Sequence, residues 1–173
     1  MGNIYFFRGK AATGKTLLTN MLGKCLNIPV FRKDDFYDTL FAFNFEHGQL
    51  NDMSYKLLKK IIQTNIDVGS DFIVDAALPH KPYIKGFLND IEFKHSKVFN
   101  FLCVCTDDEI WKVRMSQRLE NPTPNQSFES VEWVMNHYQA FDISALNDEF
   151  VLDSKENLED IFRNVINIIS TVK

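Results

Sequence analysis

The chain has little that would mark a membrane protein, a disulfide scaffold or a nucleic-acid coat. No apolar run approaches the ~20 residues of a membrane span. Lys and Arg number 19 against 23 Asp and Glu, and the net charge of −4 supplies no global basic field. That balance argues against long nucleic acid as a partner, though it leaves room for a local basic cleft. Cysteine is limited to Cys25, Cys103 and Cys105. An odd count without metal-ligand spacing argues for a reducing, cytoplasmic location, with all three expected in core packing. Cys103 and Cys105 stand two apart in an apolar run and are expected on one strand face. His47, His80, His95 and His137 show no ligand spacing and read as surface or lining residues. A strand-like run begins at Asn3, so no signal peptide is expected. Internal repeats and low-complexity tracts are absent.

What is present fits one domain over residues 1–173 with a sizeable core. Hydrophobic residues make up 45% and include sixteen Phe, which favours an aromatic interior and leaves room for Phe-rich surfaces to pair in a homodimer. Glycine is scarce, at seven residues, yet two of them frame the most informative segment, Gly9-Lys10-Ala11-Ala12-Thr13-Gly14-Lys15-Thr16. This is G-x-x-x-x-G-K-[ST], the phosphate-binding loop or Walker A motif. Gly9 and Gly14 permit backbone conformations that a Cβ forbids, so the loop amides can turn inward around a phosphate chain. Lys15 is placed for the β- and γ-phosphates, and Thr16 offers a hydroxyl to Mg²⁺. A helix starting near Gly14 or Lys15 aims its positive end at the same anion. The flanks agree. Asn3–Arg8 reads as a buried parallel strand, and Leu17, Leu18, Met21, Leu22 and Cys25 recur at helical spacing.

Further strands are expected at Pro29–Arg32, Phe72–Asp75, Val98–Cys105 and Phe150–Leu152. Between them Tyr55–Val68 has a helical period. So does a last segment from Leu158 to Thr171, which carries Ile161, Phe162, Val165, Ile168, Ile169 and, just beyond, Val172. Alternation of this kind predicts an α/β fold with a parallel sheet and ligands at the strand carboxyl ends. Asn121–Ser127 has loop composition between two helical patterns, and reads either as a lid or as a plain helix connection.

Three clusters fall where strands should end. Lys33-Asp34-Asp35-Phe36-Tyr37 follows the second strand. Asp34, with Asp35 as the substitute, can orient a hydroxyl and accept its proton, or simply cap a helix. Asp75 closes an apolar strand, the Walker B pattern of a carboxylate that holds Mg²⁺. Arg114 and Arg118 lie four apart on one helix face, suited to phosphate and adenine or to ordinary solvated pairing. Most rings between Asp35 and Phe45 are expected in the core, with one or two beside an acceptor. Arg32, Lys33, Lys81 and Lys85 are candidates to attract an anionic acceptor, or are ordinary surface cations.

On these residues the chain resembles the P-loop small-molecule kinases over most of its length. Gly9–Thr16 matches their Walker A. Val30–Tyr37 is similar to a strand-end segment of uridine kinases and nicotinamide riboside kinases, and zeta-toxin-like kinases carry a comparable one. Arg114 and Arg118 resemble a lid-start motif, and Val151-Leu152-Asp153-Ser154 resembles the last strand and its adenine-side loop. The resemblance implies a P-loop NTPase three-layer sandwich, a five-stranded parallel sheet of order 2-3-1-4-5, and a short helical lid near 114–130. It implies ATP and Mg²⁺ as cofactors and γ-phosphoryl transfer to the hydroxyl of a small molecule. Lys15, Asp34 and Arg118 would then be catalytic. Gly9 to Thr16, Arg114 and Asp153 would bind the nucleotide, and Thr16 and Asp75 the metal. The lid stretch departs from a richly basic pattern, with no Arg or Lys between Arg118 and Lys155. Two alternatives stand beside this reading. One is a zeta-toxin-like kinase acting on a nucleotide-sugar or nucleic-acid end. The other is a nucleotide-binding regulator, although the guanine-reading N-K-x-D motif is missing.

Overall fold

A computed structural model describes residues 1–126 and 128–171. Ser127 of the expected loop and Val172 of the last helical face lie outside the described residues. In chain order the elements are β1 (Asn3–Gly9), α1 (Lys15–Leu26), β2 (Val30–Arg32), α2 (Lys33–Phe41), α3 (His47–Val68) and β3 (Phe72–Asp75). They continue with α4 (Lys81–Asn89), β4 (Lys97–Val104), α5 (Asp108–Glu120), α6 (Val131–Gln139), β5 (Glu149–Asp153) and α7 (Leu158–Thr171). The five strands form one parallel sheet in the order β2-β3-β1-β4-β5, as the resemblance implies.

β1 is central and alternates its side chains between two cores. Ile4 and Phe6 pack with Phe72 and Val74 beneath Leu58, Ile62 and Ile66 of α3 and Ile84 and Phe87 of α4. Tyr5 and Phe7 face the other way, onto Leu18 and Leu22 of α1 and Ile161, Val165 and Ile169 of α7. Ring stacking reinforces this second side, with Phe7 and Phe101 at 4.6 Å and Tyr5 and Phe99 at 5.2 Å between centroids. A third cluster joins α5 to α6 through Trp111, Met115, Val134 and Tyr138. The register aligns Phe7 with Asp75 and Gly9 with Cys103, so β1 and β4 end within one residue of each other and β3 ends two residues short of β1.

Several local expectations change. The buried face of α1 comprises Leu18, Thr19, Leu22 and Gly23, while Leu17 and Cys25 are exposed. Cys25 is therefore not a core residue. Cys103 lies in the α1/α7 core, and Cys105, just past β4, belongs to the α5/α6 cluster, so the pair does not share a face. α3 starts eight residues before the expected Tyr55, because Glu46 and Gln49 form a reciprocal capping box and Leu50 anchors the added turns. Among the rings of the Asp35–Phe45 run, Tyr37 is buried but Phe41, Phe43 and Phe45 are exposed. Among the described residues no helix is long and apolar enough to cross a membrane.

Candidate active site

The loop from Gly9 to Gly14 joins β1 to α1. Gly9 has φ 144°, and a Cβ there would collide with the Cys103 carbonyl. Gly14, at φ 78°, is the left-handed N-cap of α1. Ala12 also holds a positive φ of 59°, a conformation that costs an L-residue roughly 1–2 kcal/mol. Its neighbours hold the loop in this shape. The Ala11 N–H donates to Tyr138 Oη at 2.9 Å, and Trp111 Nε1 donates to the Ala11 carbonyl at 2.9 Å. Thr13 Oγ1 donates to the Lys10 carbonyl at 2.9 Å, and Lys10 Nζ lies over the Trp111 ring at 5.3 Å.

Lys15 folds back over this loop, its Nζ donating to the Gly9 carbonyl at 3.0 Å and the Lys10 carbonyl at 2.6 Å. Burial pushes its ammonium below the usual lysine range, with the charge of Asp75 opposing the shift. One oxygen of Asp75, Oδ2, accepts from Thr16 Oγ1 at 2.9 Å and from Thr19 Oγ1 at 3.3 Å, with Arg32 Nε 3.7 Å away. This pairing explains why Thr19 takes a buried place on α1. Burial raises the Asp75 carboxyl above the usual range, while Lys15 and the Thr16 hydroxyl pull it back. Among the described residues no group of three or more His, Cys, Asp or Glu is placed to hold a metal. A threonine hydroxyl beside one carboxylate nevertheless suits Mg²⁺, which takes few protein ligands and fills its shell with water and substrate phosphate.

A cleft of about 400 Å³ opens along the N-terminus of α1. Ala12, Thr13, Gly14, Lys15, Thr16, Arg114 and Arg118 all line it, so seven of the expected residues converge there. Arg114 is fixed by two bonds to Ser154, at 2.8 Å to Oγ and 2.9 Å to the carbonyl. Arg118 is half-buried, and its charge adds to the downward pressure on Lys15 after burial itself. Gly9, Lys10, Ala11 and Asp153 are not on the cleft wall. The Asp153 carboxylate accepts the Thr106 N–H and the Lys155 N–H, both at 3.1 Å, together with the Thr106 hydroxyl. The next residue, Ser154, reaches the cleft instead.

On the other side of the phosphate loop lies a larger cavity of about 960 Å³, walled by α3, α4, α6 and the segment between β3 and α4. Three of the four histidines, His47, His80 and His137, line it together with Tyr55, Trp133 and Tyr138. None of the rings between Phe36 and Phe45 takes part. His80 is 5% exposed, and its Nδ1 has no hydrogen-bond partner among the described residues. Burial lowers its pKa, and the neighbouring His137 adds to the shift.

Asp34 is the second residue of α2. The N-cap is Arg32, which makes no side-chain capping bond, so Asp34 does not serve as the cap. It is ion-paired with Lys33 Nζ at 3.7 Å. Lys33 is only 4% exposed and belongs to the cavity wall, with Nζ over Tyr37 at 4.5 Å and Tyr55 at 5.4 Å. Burial pushes Lys33 down, and Asp34 opposes this. Asp34 is on the wall of neither cavity, and behind burial its charge helps to raise the Asp75 carboxyl and the Tyr55 phenol. Asp35 faces outward and is paired with Arg32 at 3.5 Å. Asp38 accepts the Asn125 N–H at 3.1 Å, tying α2 to the loop between α5 and α6. Of the other candidate cations, Lys81 bonds Ser144 Oγ at 3.0 Å, and Lys85 is exposed and off the cavity wall.

Arg8 is a buried charge at the edge of the larger cavity that the sequence pattern hides. It is completely buried at the end of β1. Its guanidinium makes five bonds, to Glu149 Oε1 at 2.6 Å and Oε2 at 2.7 Å, and to the carbonyls of Leu78 (3.3 Å), Pro79 (2.9 Å) and Ser144 (3.0 Å). It therefore holds the Leu78–Pro79 floor of the larger cavity against the start of β5.

No protein-family model matches the chain, and no curated protein sequence does. Solved structures match it in fold. A Chloroflexus aurantiacus protein provisionally described as a kinase superposes with a TM-score of 0.78 at 16% identity, over 96% of this chain and 97% of its own. A sugar kinase from a Janibacter species gives 0.69 at 16% identity, over 98% and 95%. A gluconokinase from Sinorhizobium meliloti gives 0.68 at 10% identity, over 99% and 93%. The parallel 2-3-1-4-5 sheet with helices on both faces is thus a fold this chain has in common with these kinases.

Proposed function

We propose that the protein is a kinase that transfers the γ-phosphoryl group of ATP to a hydroxyl of a small molecule. The observation that supports this reading is a pair of cavities beside one phosphate loop, with Asp34 ion-paired to Lys33 on the wall of the larger one. A nucleotide-gated regulator needs only the first cavity. The kinase names of the structural neighbours agree with the reading.

In this mechanism Lys15 leaves the Gly9 and Lys10 carbonyls and pairs with the β- and γ-phosphates. Thr16 and Asp75 would hold Mg²⁺, which screens the phosphate charge. Arg114 would stay anchored on Ser154 at the cleft wall beside the nucleotide, and Arg118 would cover charge on the transferring group. Asp34 orients the acceptor hydroxyl and accepts its proton as the oxygen bonds to Pγ and the bond from Pγ to ADP breaks. Catalysis is then positioning plus neutralisation. The segment from Arg114 to Ser130 serves as the lid, with Asn125 on Asp38 as its contact to the acceptor side.

The test is γ-labelled ATP with Mg²⁺ against nucleosides, sugars, sugar acids, aryl alcohols, nucleotide-sugars and short oligonucleotides, with Asp34→Asn in parallel. Label should pass to a small acceptor in the wild type only, while the variant still binds ATP. Tight ATP binding with no acceptor labelled would favour the regulator, and label on oligonucleotide ends or nucleotide-sugars the zeta-toxin-like alternative.

A further inference from the structure

Resting on that kinase reading, we propose that the 960 Å³ cavity takes an acceptor built on a planar aromatic group, without positive charge, that carries the reacting hydroxyl on a short side arm. Three observations lead there. The first is size. Small-molecule pockets span roughly 300–1,000 Å³, and this one lies at the upper end, so a single sugar ring would leave most of it to water.

The second is the wall. Tyr55, Tyr83, Phe87, Trp133, Tyr138 and Phe141 all border the space. Tyr83, Trp133 and Phe141 are 59%, 39% and 39% exposed despite standing in a concavity. Trp133 is stacked on His137 at 5.2 Å with 7° between planes, and Phe141 lies 3.9 Å from His80. Rings left open in a concave site are the surface that a flat apolar ligand covers, and stacking adds to the burial.

The third is what the wall lacks. No Asp or Glu lines the cavity among the described residues. A polyamine-bearing sugar has nothing there to pair its ammonium groups, and a polyol lacks the carboxylates that bind vicinal hydroxyls in pairs. Beyond the tyrosine hydroxyls and the three histidines, the polar lining is Lys33 and Lys59 at the α2 and α3 side, with Asn51 and Asn125. Asp34 meets the cavity through its ion pair with Lys33. A ring seated against Trp133 and Tyr138 would extend its side arm toward Asp34. The hydroxyl oxygen bonds to Pγ, the bond from Pγ to ADP breaks with its electron pair left on ADP, and the proton goes to Asp34. The products are an aryl-bearing phosphomonoester and ADP.

Saturation-transfer NMR on the full chain without nucleotide tests this independently of turnover. The probes are phenyl, naphthyl and indolyl ethane-1,2-diols, D-gluconate and kanamycin. Saturation should appear on the aryl protons alone. Trp133→Ala should weaken aryl-diol binding roughly tenfold. Leu57→Ala, exposed on α3 and away from the cavity wall, should leave it unchanged, and both variants should keep the wild-type unfolding midpoint. Gluconate or kanamycin binding as tightly as the best aryl diol would overturn the proposal. So would saturation of none of the three diols, or binding indifferent to Trp133→Ala in a folded variant. The same diols are then offered with γ-labelled ATP. Aryl binding without label transfer upholds the cavity's preference and overturns the kinase reading. Label on gluconate with no aryl binding does the reverse.

Discussion

The hydroxyl of Tyr138 accepts the backbone N–H of Ala11 at 2.9 Å, so one ring is at once a wall of the larger cavity and a support of the phosphate loop. The larger cavity and the phosphate loop therefore share one side chain on α6. Tyr138→Phe keeps the ring and removes the acceptor. It should cost about 1 kcal/mol of stability and weaken ATP binding several-fold, with the fold intact. Calorimetric titration of ATP and urea unfolding check both. A variant with unchanged ATP affinity would mean that the loop is set without Tyr138.

Arg8 and Glu149 make a fully buried, bidentate pair. Removing one partner leaves a buried charge uncompensated, which typically costs about 3–5 kcal/mol. Arg8→Met should therefore lower the urea midpoint sharply. Arg8→Met combined with Glu149→Leu should recover much of that loss, although the carbonyls of Leu78, Pro79 and Ser144 would still lack their donor. A double variant less stable than Arg8→Met would mean that Glu149 stabilises the fold through a partner other than Arg8, such as the Leu146 N–H it accepts at 2.8 Å.

His80 ties stability to pH. Its folded pKa lies below the ordinary 6.5 because of burial first and His137 second. The unfolded chain then binds the proton first as pH falls, so His80's contribution is complete above 6.5 and is lost as pH falls through the depressed folded value. Urea midpoints at pH 7.5 and pH 5 should fall less in His80→Gln than in the wild type. An identical fall would remove His80 from the account.

Asp75 runs the other way. Its carboxyl is raised above the ordinary 3.8, chiefly by burial, so its contribution is complete below 3.8 and is lost as pH rises through the folded value. Asp75→Asn should flatten that slope, and near neutral pH the variant should be as stable as the wild type or more so. It should also lose the Mg²⁺ dependence of nucleotide binding. A variant both less stable at neutral pH and still Mg²⁺-dependent would contradict both statements.

The contrast between Gly9–Thr16 and Arg8 shows what a sequence displays. The loop can be read directly because its residues are contiguous and the strand and helix around it follow in order. Asp75 is legible as the polar end of an apolar strand. Arg8 sits inside an apolar run, and its meaning depends on a glutamate 141 positions away. The larger cavity is hidden for the same reason, since its rings come from α3, α4 and α6 and no local period links them. The rings that are conspicuous in sequence, Phe41, Phe43 and Phe45, lie outside it. Thr19 misled the α1 face because a buried hydroxyl paired to Asp75 has no apolar signature. The E-x-x-Q spacing of Glu46 and Gln49 was the available signal for the early start of α3.

The same 141-residue separation has a consequence for how the protein is made. At synthesis rates of about 5–20 residues per second, Glu149 emerges roughly 7–28 s after Arg8. The carbonyls of Leu78 and Pro79 arrive midway, and Ser144 and Glu149 come last. Until then the guanidinium at the end of β1 lacks the carboxylate it pairs with. The cavity floor is tied through Arg8 to the start of β5 only when that strand takes its place at the edge of the sheet. A nascent chain halted before β5 would hold the whole phosphate loop in sequence without the buried pair that fixes the floor beside it.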